Sequence, residues 1–377
     1  MKIAIVHEML IKLWGAERVL LEFIKMYPEA DVYTLMYDEE KVWSVFPKEK
    51  IHCNGLAQWL FQLTKKPRAS LPLMTFSVSG IDVSDYDLVI SSSSGFAHGV
   101  WRNTKYKIQN TKNRPFHICY CHSPARYLWD WTEEVQAEMK SLFRPLVRAL
   151  FAVLRKIDLQ ASQSPDIYIA NSREVQTRIA KYYKRDSLII YPPVDTEKYK
   201  VQNTKYKISE RSFYIITSAL TPFKRVDIAV RVLSELGISL KIIGSGAQID
   251  ALKQLAWASV EFLGRLSDEE IAKIYTQARW FLMPQKEDAG IAPIEAMAAG
   301  LPVFGQAAGG LLETNIDGVT GEFFPEETDE SFREGFIRFH KNVEEGRYDD
   351  AEKITSHATQ FGVEAFHQAF KRVVDKK

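Results

Sequence analysis

Short apolar runs rich in β-branched residues recur along this chain, each followed by a segment long enough to be a helix. No other feature constrains the fold as strongly. The first run is Lys2–His7, followed by a loop and the helical pattern Glu17–Met26. Others lie at Asp31–Leu35, Leu88–Ser91, His117–Cys121, Ile167–Ala170 and Leu188–Tyr191. Such runs read as parallel strands covered on both faces by helices. At Tyr191-Pro192-Pro193-Val194-Asp195 the rhythm breaks, and the polar stretch Lys198–Arg211 reads as a linker. It then restarts at Phe213–Thr217, Ser239–Ile243, Val260–Leu263, Phe281–Met283 and Val303–Phe304. The expected fold class is α/β, with two doubly wound, Rossmann-like domains. We place them at residues 1–195 and 196–355, in a chain of 377 residues that can bury two cores. The tail from Asp350 to Lys377 reads as helix, with Phe361, Ala365, Phe366, Ala369, Phe370 and Val373 on one face. Its last part, 356–377, is expected to pack back on the first domain.

Composition removes several classes of function. Lys plus Arg number 49 against 48 Asp plus Glu, a balance that argues against a dedicated nucleic-acid binder. With 46% hydrophobic and 26% charged residues, the chain is not disordered. Three cysteines cannot staple a secreted scaffold, so a reducing, cytosolic compartment is expected. The opening MKIAIVHEML carries an acid inside its apolar stretch and has no cleavage site, so it does not read as a signal peptide. No uncharged apolar run approaches the ~20 residues of a membrane span. The charge is uneven, however. Residues 1–200 hold 28 basic and 22 acidic side chains (+6), and residues 201–377 hold 21 and 26 (−5). That asymmetry describes a surface, not a fold.

Open α/β sheets bind ligands beyond the carboxyl ends of their strands, and two such sheets are expected to share a cleft there. A dinucleotide is excluded after the first strand, where His7-Glu8-Met9-Leu10 has no glycine. Gly244-Ser245-Gly246 follows a strand, but Ile249 stands where the third glycine of the fingerprint belongs, so a tight turn is the better account. There is no Walker sequence. A phosphate compound held without these devices is the remaining expectation. The informative segment is Lys286–Gly300, which follows a strand, turns at Gly290 and enters a helix. Free backbone N–H groups at such a turn form an anion site. Glu287 and Glu295 flank it and can grip hydroxyls at two points of one ligand. By spacing alone, an acidic first helical turn is a sufficient account.

The surrounding residues make the pattern specific. Glu287 and Glu295 form an E-x7-E, followed by Ala299-Gly300, Pro302, Gly309-Gly310-Leu311-Leu312-Glu313, Asp317-Gly318 and Thr320-Gly321. This run resembles the donor-site half of retaining, GT-B-fold glycosyltransferases of family four. Independently, Gly15-Ala16-Glu17-Arg18-Val19, Ser91–Gly95, Tyr120–Asp130, Asn171-Ser172 and Tyr191–Asp195 are similar to its mannosyltransferase-type members. The resemblance covers nearly the whole chain. It implies that Glu287 contacts the transferred sugar and Glu295 the nucleotide ribose, with Ala289, Gly290 and Ile291 facing the sugar and diphosphate. It further implies that Lys224, with Arg225 adjacent, neutralises the diphosphate. His122 matches the histidine near the transferred sugar, and Gly15 belongs to the loop under the diphosphate. The implied catalytic set is His122, Glu287 and Lys224, with Ser94 and Arg126 on the acceptor side. Three positions depart from the family pattern: Ala219 where Arg is frequent, Trp14 where Gly is common and Ala289 where Phe is frequent. Arg225 or Arg126 is the candidate substitute for the missing arginine.

Other signals have simpler accounts. His117, Cys119 and Cys121 alternate with His122 across a strand, so these four cannot converge on a metal. Asp85-Tyr86-Asp87 spells the D-x-D of metal-dependent glycosyltransferases, yet it precedes a strand and reads as a turn. No metal and no cofactor are therefore expected. His7 reads equally as a site residue or a satisfied strand-end histidine. Three basic segments remain: Trp59 and Phe61 with Lys65, Lys66 and Arg68; Arg102, Lys105, Lys107, Lys112 and Arg114; and Arg148, Arg155 and Lys156. Basic residues beside apolar ones fit peripheral adhesion to an anionic membrane, and a solvated charged face fits equally. The expected activity is transfer of a hexose, first mannose from GDP-mannose and second a UDP-hexose, to a lipid-linked saccharide for a cell-surface polysaccharide. The expected location is the cytoplasmic face of the inner membrane. The rivals are a GT-B epimerase or phosphorylase and a catalytically silent nucleotide-sugar-binding partner.

Overall fold

In open α/β sheets, strand order determines where a ligand can bind. The computed structural model describes residues 1–376 apart from 14, 43, 47, 54, 101–113, 131, 133–143 and 201–206. Its contacts divide the chain into a first unit, Met1–Tyr191 with Ala369–Lys377, and a second, Pro192–Gln368. The first unit holds β1 (Ile3–Leu10), β2 (Asp31–Tyr37), β3 (Ile51–His52), β4 (Leu88–Ser93), β5 (Phe116–Cys121), β6 (Ile167–Ala170) and β7 (Leu188–Ile189). These pair in the order β3-β2-β1-β4-β5-β6-β7, every neighbour parallel. The second unit holds β8 (Phe213–Thr217), β9 (Leu240–Ile243), β10 (Val260–Gly264), β11 (Ala278–Met283), β12 (Val303–Gln306) and β13 (Gly321–Phe324). Their order is β10-β9-β8-β11-β12-β13, again all parallel. Both sheets are doubly wound. Each reverses direction once, between β1 and β4 and between β8 and β11.

The central strands are apolar because helices cover both faces. All six residues of β4 are buried, and Ile118, Cys119, Tyr120 and Cys121 of β5 are too. In the second unit the sheet core is aromatic, with Trp280 and Phe304 packed on Phe336 and Phe339 of the helix Asp329–Glu344. Two strands lack a sequence signal. β3 has only two residues, and β13 opens on Gly321, whose Cβ position is filled by backbone of Val303.

The tail differs from the single helix expected. It forms helices Ala351–Ala358 and Val363–Val374, separated by the 3-10 turn Thr359–Phe361. The break lets the Phe361 carbonyl accept from the Val194 N–H at 3.0 Å, while Gly362 pairs with Val194. Phe361 therefore packs in the turn and not on the helical stripe. Phe370 is fully buried in the first unit, its ring centroid 4.7 Å from that of Phe23. Within the polar stretch after the double proline, Thr196–Tyr199 is helical and Ile208–Glu210 is a 3-10 turn.

Candidate active site

In the second unit, chain reversal at β8 and β11 brings two distant loops together. Lys224 ends the 3-10 turn Pro222–Lys224 after β8, and Glu287 follows β11. The Lys224 ammonium donates to Glu287 Oε1, and Gln285 Nε2 donates to the same oxygen at 3.2 Å. Both charged side chains are about a quarter exposed, so the pair is accessible from outside. The chain then turns at Gly290, in a left-handed conformation at φ 71, into the helix Ile291–Ala298. That start is held from outside the loop. The Gly310 N–H donates to the Glu287 carbonyl at 2.9 Å, and a Cβ at Gly309 would stand 2.0 Å from that oxygen. Glu295 lies one and a half turns into the helix and is only 4% exposed, while Ala289 is buried and Ile291 half-buried.

Arg225 does not join this group. Its guanidinium pairs with Glu327 at 2.8 Å and with Asp227 at 3.5 Å, at the start of its own helix. Gly244 and Gly246 are tight-turn glycines. A Cβ on Gly244 would lie 1.8 Å from the Ser218 carbonyl oxygen, and one on Gly246 would lie 2.1 Å from that of Leu220.

The reversal in the first unit carries a polar cluster. His7 of β1 and Ser92 of β4 are register partners, and the His7 Nδ1 lies 3.0 Å from Ser92 Oγ. The same hydroxyl lies 2.8 Å from His122 Nε2, just past β5. His7 Nε2 is 3.6 Å from Glu17 Oε1, on the helix that begins at Gly15. Beside it, the buried Glu8 carboxylate accepts from Ser93 Oγ at 3.1 Å, from the Ser94 N–H at 2.9 Å and from the Ala97 N–H at 3.0 Å. Ser94 itself is exposed, and Arg126 begins the short helix Arg126–Trp129. Sequence reasoning left His7 open and missed Glu8, Glu17 and Ser92 as partners. The signal was present in the serine run Ser91–Ser94, where every second side chain shares a face.

The remaining histidine and acid motifs have protein partners. His117 Nε2 meets Ser91 Oγ at 2.8 Å, on a different serine from His122. Asp87 Oδ2 accepts the Lys2 N–H at 2.7 Å, and Tyr86 donates to Asp31, so the D-x-D pins the start of β1. Among the described residues, no three His, Cys, Asp or Glu side chains gather as for a metal. Burial pushes the pKa of His117 down to about 3, with His98, Arg114 and Arg185 adding to the effect. His122 also falls to about 3, through desolvation first and His7 second.

Two doubly wound, all-parallel units in one chain fit the GT-B fold. Comparison with known proteins agrees. The family model Glycosyltransferase Family 4 matches residues 15–198, and Glycosyl transferases group 1 matches residues 196–359. These matches run consecutively over most of the chain, which belongs to the family-four-like GT-B glycosyltransferases. The GDP-mannose-dependent alpha-(1-6)-phosphatidylinositol monomannoside mannosyltransferase of Mycolicibacterium smegmatis is 26% identical over 200 residues, 46% of this chain and 52% of that protein. A probable sucrose-phosphate synthase of Thermosipho melanesiensis is 28% identical over 177 residues, 42% of this chain and 41% of its own. The chain thus spans about half the length of the curated relatives it matches. Among solved structures, Anabaena HepE in complex with UDP superposes with a TM-score of 0.73 at 20% identity, covering 100% of both chains. Sucrose-phosphate synthase of Thermosynechococcus elongatus gives 0.74 at 15% identity, covering 100% and 99%.

A buried histidine held neutral makes stability depend on pH. The unfolded chain takes a proton near the ordinary value of about 6.5, whereas native His117 does not until about 3. The unfolded state binds more protons in that window, so the contribution of His117 declines as pH falls through it. His117→Gln cannot be protonated. Between pH 7 and pH 5 its unfolding free energy, measured by urea titration, should fall by about 2 kcal/mol less than that of the parent chain. Equal slopes would show that His117 is not held neutral.

Proposed function

We propose that this chain is a retaining glycosyltransferase that moves a hexose from a sugar nucleotide to a lipid-linked saccharide. The observation that carries the reading is the Lys224–Glu287 pair at the reversal of the second sheet, beside the turn at Gly290. A nucleoside diphosphate gains charge as the glycosidic bond breaks, and a placed cation and backbone N–H groups stabilise that charge. In the free protein Glu287 balances Lys224. An arriving diphosphate takes over that role and releases the Glu287 carboxylate toward the sugar hydroxyls. Glu295, one and a half turns along the helix, is assigned to the ribose. His122 is assigned to the transferred sugar, and Ser94 and Arg126 to the acceptor. Gly15 and the backbone of Ala289, Gly290 and Ile291 complete the donor contacts. Same-face transfer needs no protein nucleophile, because the leaving phosphate oxygen can take the acceptor proton. The protein then contributes positioning and electrostatics.

Mannose from GDP-mannose is the first donor, on the strength of the mycobacterial relative's name. A UDP-hexose is the second, because HepE was solved with UDP-glucose. A panel of radiolabelled sugar nucleotides, followed for slow donor hydrolysis, separates them. Hydrolysis of none would favour a catalytically silent binding partner. The two glutamates should separate in variants. Glu295→Ala should weaken binding of the free nucleoside diphosphate in calorimetry by about 1.5–3 kcal/mol per hydrogen bond lost. Glu287→Gln should keep or raise that affinity, since it frees Lys224 from its carboxylate partner, while turnover collapses. Unchanged affinity in the first, or a joint loss in the second, would break this division of labour.

We place the lipid-linked acceptor and an anionic membrane surface with the first unit. Its helix Leu56–Thr64 exposes Leu56, Trp59 and Leu63, with Lys65 and Lys66 just beyond; Phe61 instead packs in the core. The helix Arg144–Ala161 exposes Leu146, Val153, Arg148 and Lys156. Arg155 leaves the basic set, since it donates to the Leu128 carbonyl at 2.6 Å and to Thr132 at 2.9 Å. Arg114 pairs with Asp166. Arg102, Lys105, Lys107 and Lys112, together with the Arg68 side chain and Trp14, lie outside the described residues. No helix among the described residues is long and apolar enough to cross a membrane. Each basic side chain near an anionic surface contributes about 1 kcal/mol, over a range of ~8 Å. The protein should therefore co-sediment with phosphatidylglycerol vesicles and not with phosphatidylcholine ones, and charge reversal at Lys65 and Lys66 should reduce the bound fraction. Equal binding to both lipids would contradict an electrostatic surface.

A further inference from the structure

We propose that the Glu17 carboxylate, acting electrostatically on His7, and the hydrogen bonds linking His7, Ser92 and His122 together fix the tautomer of His122, placing its proton on Nε2 and leaving Nδ1 as a bare acceptor. The proposal starts from one hydroxyl between two imidazoles. Ser92 Oγ is fully buried, 3.0 Å from His7 Nδ1 and 2.8 Å from His122 Nε2. A serine hydroxyl has one proton to give, so with two neutral rings it gives to one nitrogen and takes from the other. Which nitrogen gives depends on what lies at the far side of His7.

There the carboxylate of Glu17 stands 3.6 Å from His7 Nε2, and both side chains are buried. That spacing exceeds a hydrogen bond but is well within electrostatic range in a desolvated site. A bare Nε2 lone pair facing the carboxylate is repelled, and an Nε2–H is attracted. His7 therefore carries its proton on Nε2, and its Nδ1 accepts from Ser92. With its only proton spent, Ser92 can only accept from His122, which must then be protonated at Nε2. The lowered pKa of His122, set by desolvation and by His7, keeps this ring neutral, so its tautomer is a defined property. The main chain of His122 is anchored as well, because Asn171 Nδ2 donates to its carbonyl at 3.0 Å.

The consequence is a chemical selection. A neutral imidazole presenting a bare Nδ1 binds a group that donates a proton, such as a sugar hydroxyl. It repels an oxygen that can only accept, such as a phosphate oxygen. On the reading that His122 faces the transferred sugar, Ser92, His7 and Glu17 are positioning residues. They act through His122 and need not touch the ligand.

The test is the tautomer itself, read in the full chain labelled with 15N-histidine at pH 8, with no donor present. Imidazole nitrogen shifts report which nitrogen carries the proton, and loss of signals in His122→Gln assigns them. A protonated Nε2 with a bare Nδ1 supports the proposal, and a protonated Nδ1 overturns it. In Ser92→Ala the His122 Nδ1 resonance should shift toward the protonated position, whereas an unchanged spectrum overturns the relay. Should Ser92→Ala fail to fold, Glu17→Gln serves instead. Its amide can face His7 with either end, so the two tautomers of His122 should mix, and an unmixed spectrum overturns the role of Glu17. Because the measurement needs no sugar nucleotide, it stands whether or not the transferase reading holds.

Discussion

Two stretches of backbone meet in the second unit with no side chain between them, and the candidate donor site depends on that approach. A Cβ on Gly309 would lie 2.0 Å from the Glu287 carbonyl oxygen, and one on Gly310 would lie 2.5 Å from that of Asp288. Both obstacles are backbone, so neither could turn aside as a side chain can. The approach allows the Gly310 N–H to reach the Glu287 carbonyl and ties the loop after β12 to the loop after β11. Glu287 is thereby fixed at its main chain before its side chain meets Lys224. The start of the helix Ile291–Ala298 is fixed with it.

Strand order supplies the second constraint. A doubly wound sheet leaves a gap at its carboxyl edge where winding reverses, because the loops on either side depart toward opposite faces. In this chain each reversal is bridged by polar side chains. His7 meets Ser92 where β1 neighbours β4, and Lys224 meets Glu287 where β8 neighbours β11. The chemistry differs between them. The first unit presents a buried serine hydroxyl bonded between two histidines, whereas the second presents a half-buried ion pair beside a helix start.

Much of this was legible in the sequence because strands buried on both faces read as uninterrupted apolar runs. Ile167–Ala170 and Phe213–Thr217 appear at those limits in the structure. Glu287, Glu295 and Lys224 were singled out through the family resemblance, not through spacing, and the structure brings Lys224 and Glu287 together. What escaped did so for physical reasons. A two-residue strand such as Ile51-His52 has no periodicity, and Gly321 opens β13 because a neighbouring backbone leaves no space for a side chain. The tail read as one helix because its apolar stripe continues through Phe361, but the chain breaks there to pair with Val194. Glu17 and Ser92 lie inside segments the resemblance singled out, but their partnerships and that of Glu8 escaped because they join strands and helices distant in sequence. Arg225 shows the converse: adjacent to Lys224 in sequence, it turns to Glu327 instead.

The central claim is that the loops carrying Lys224 and Glu287 hold a nucleoside diphosphate. Hydrogen–deuterium exchange of the full chain, with and without GDP or UDP, tests it most directly, because it reads backbone N–H groups where the ligand should bind. The account predicts slowed exchange in peptides spanning residues 286–295 and 219–226, and no comparable change in the polar cluster around Ser92 when the sugar is absent. Binding that leaves residues 286–295 unprotected, or protects only the first unit, would contradict it.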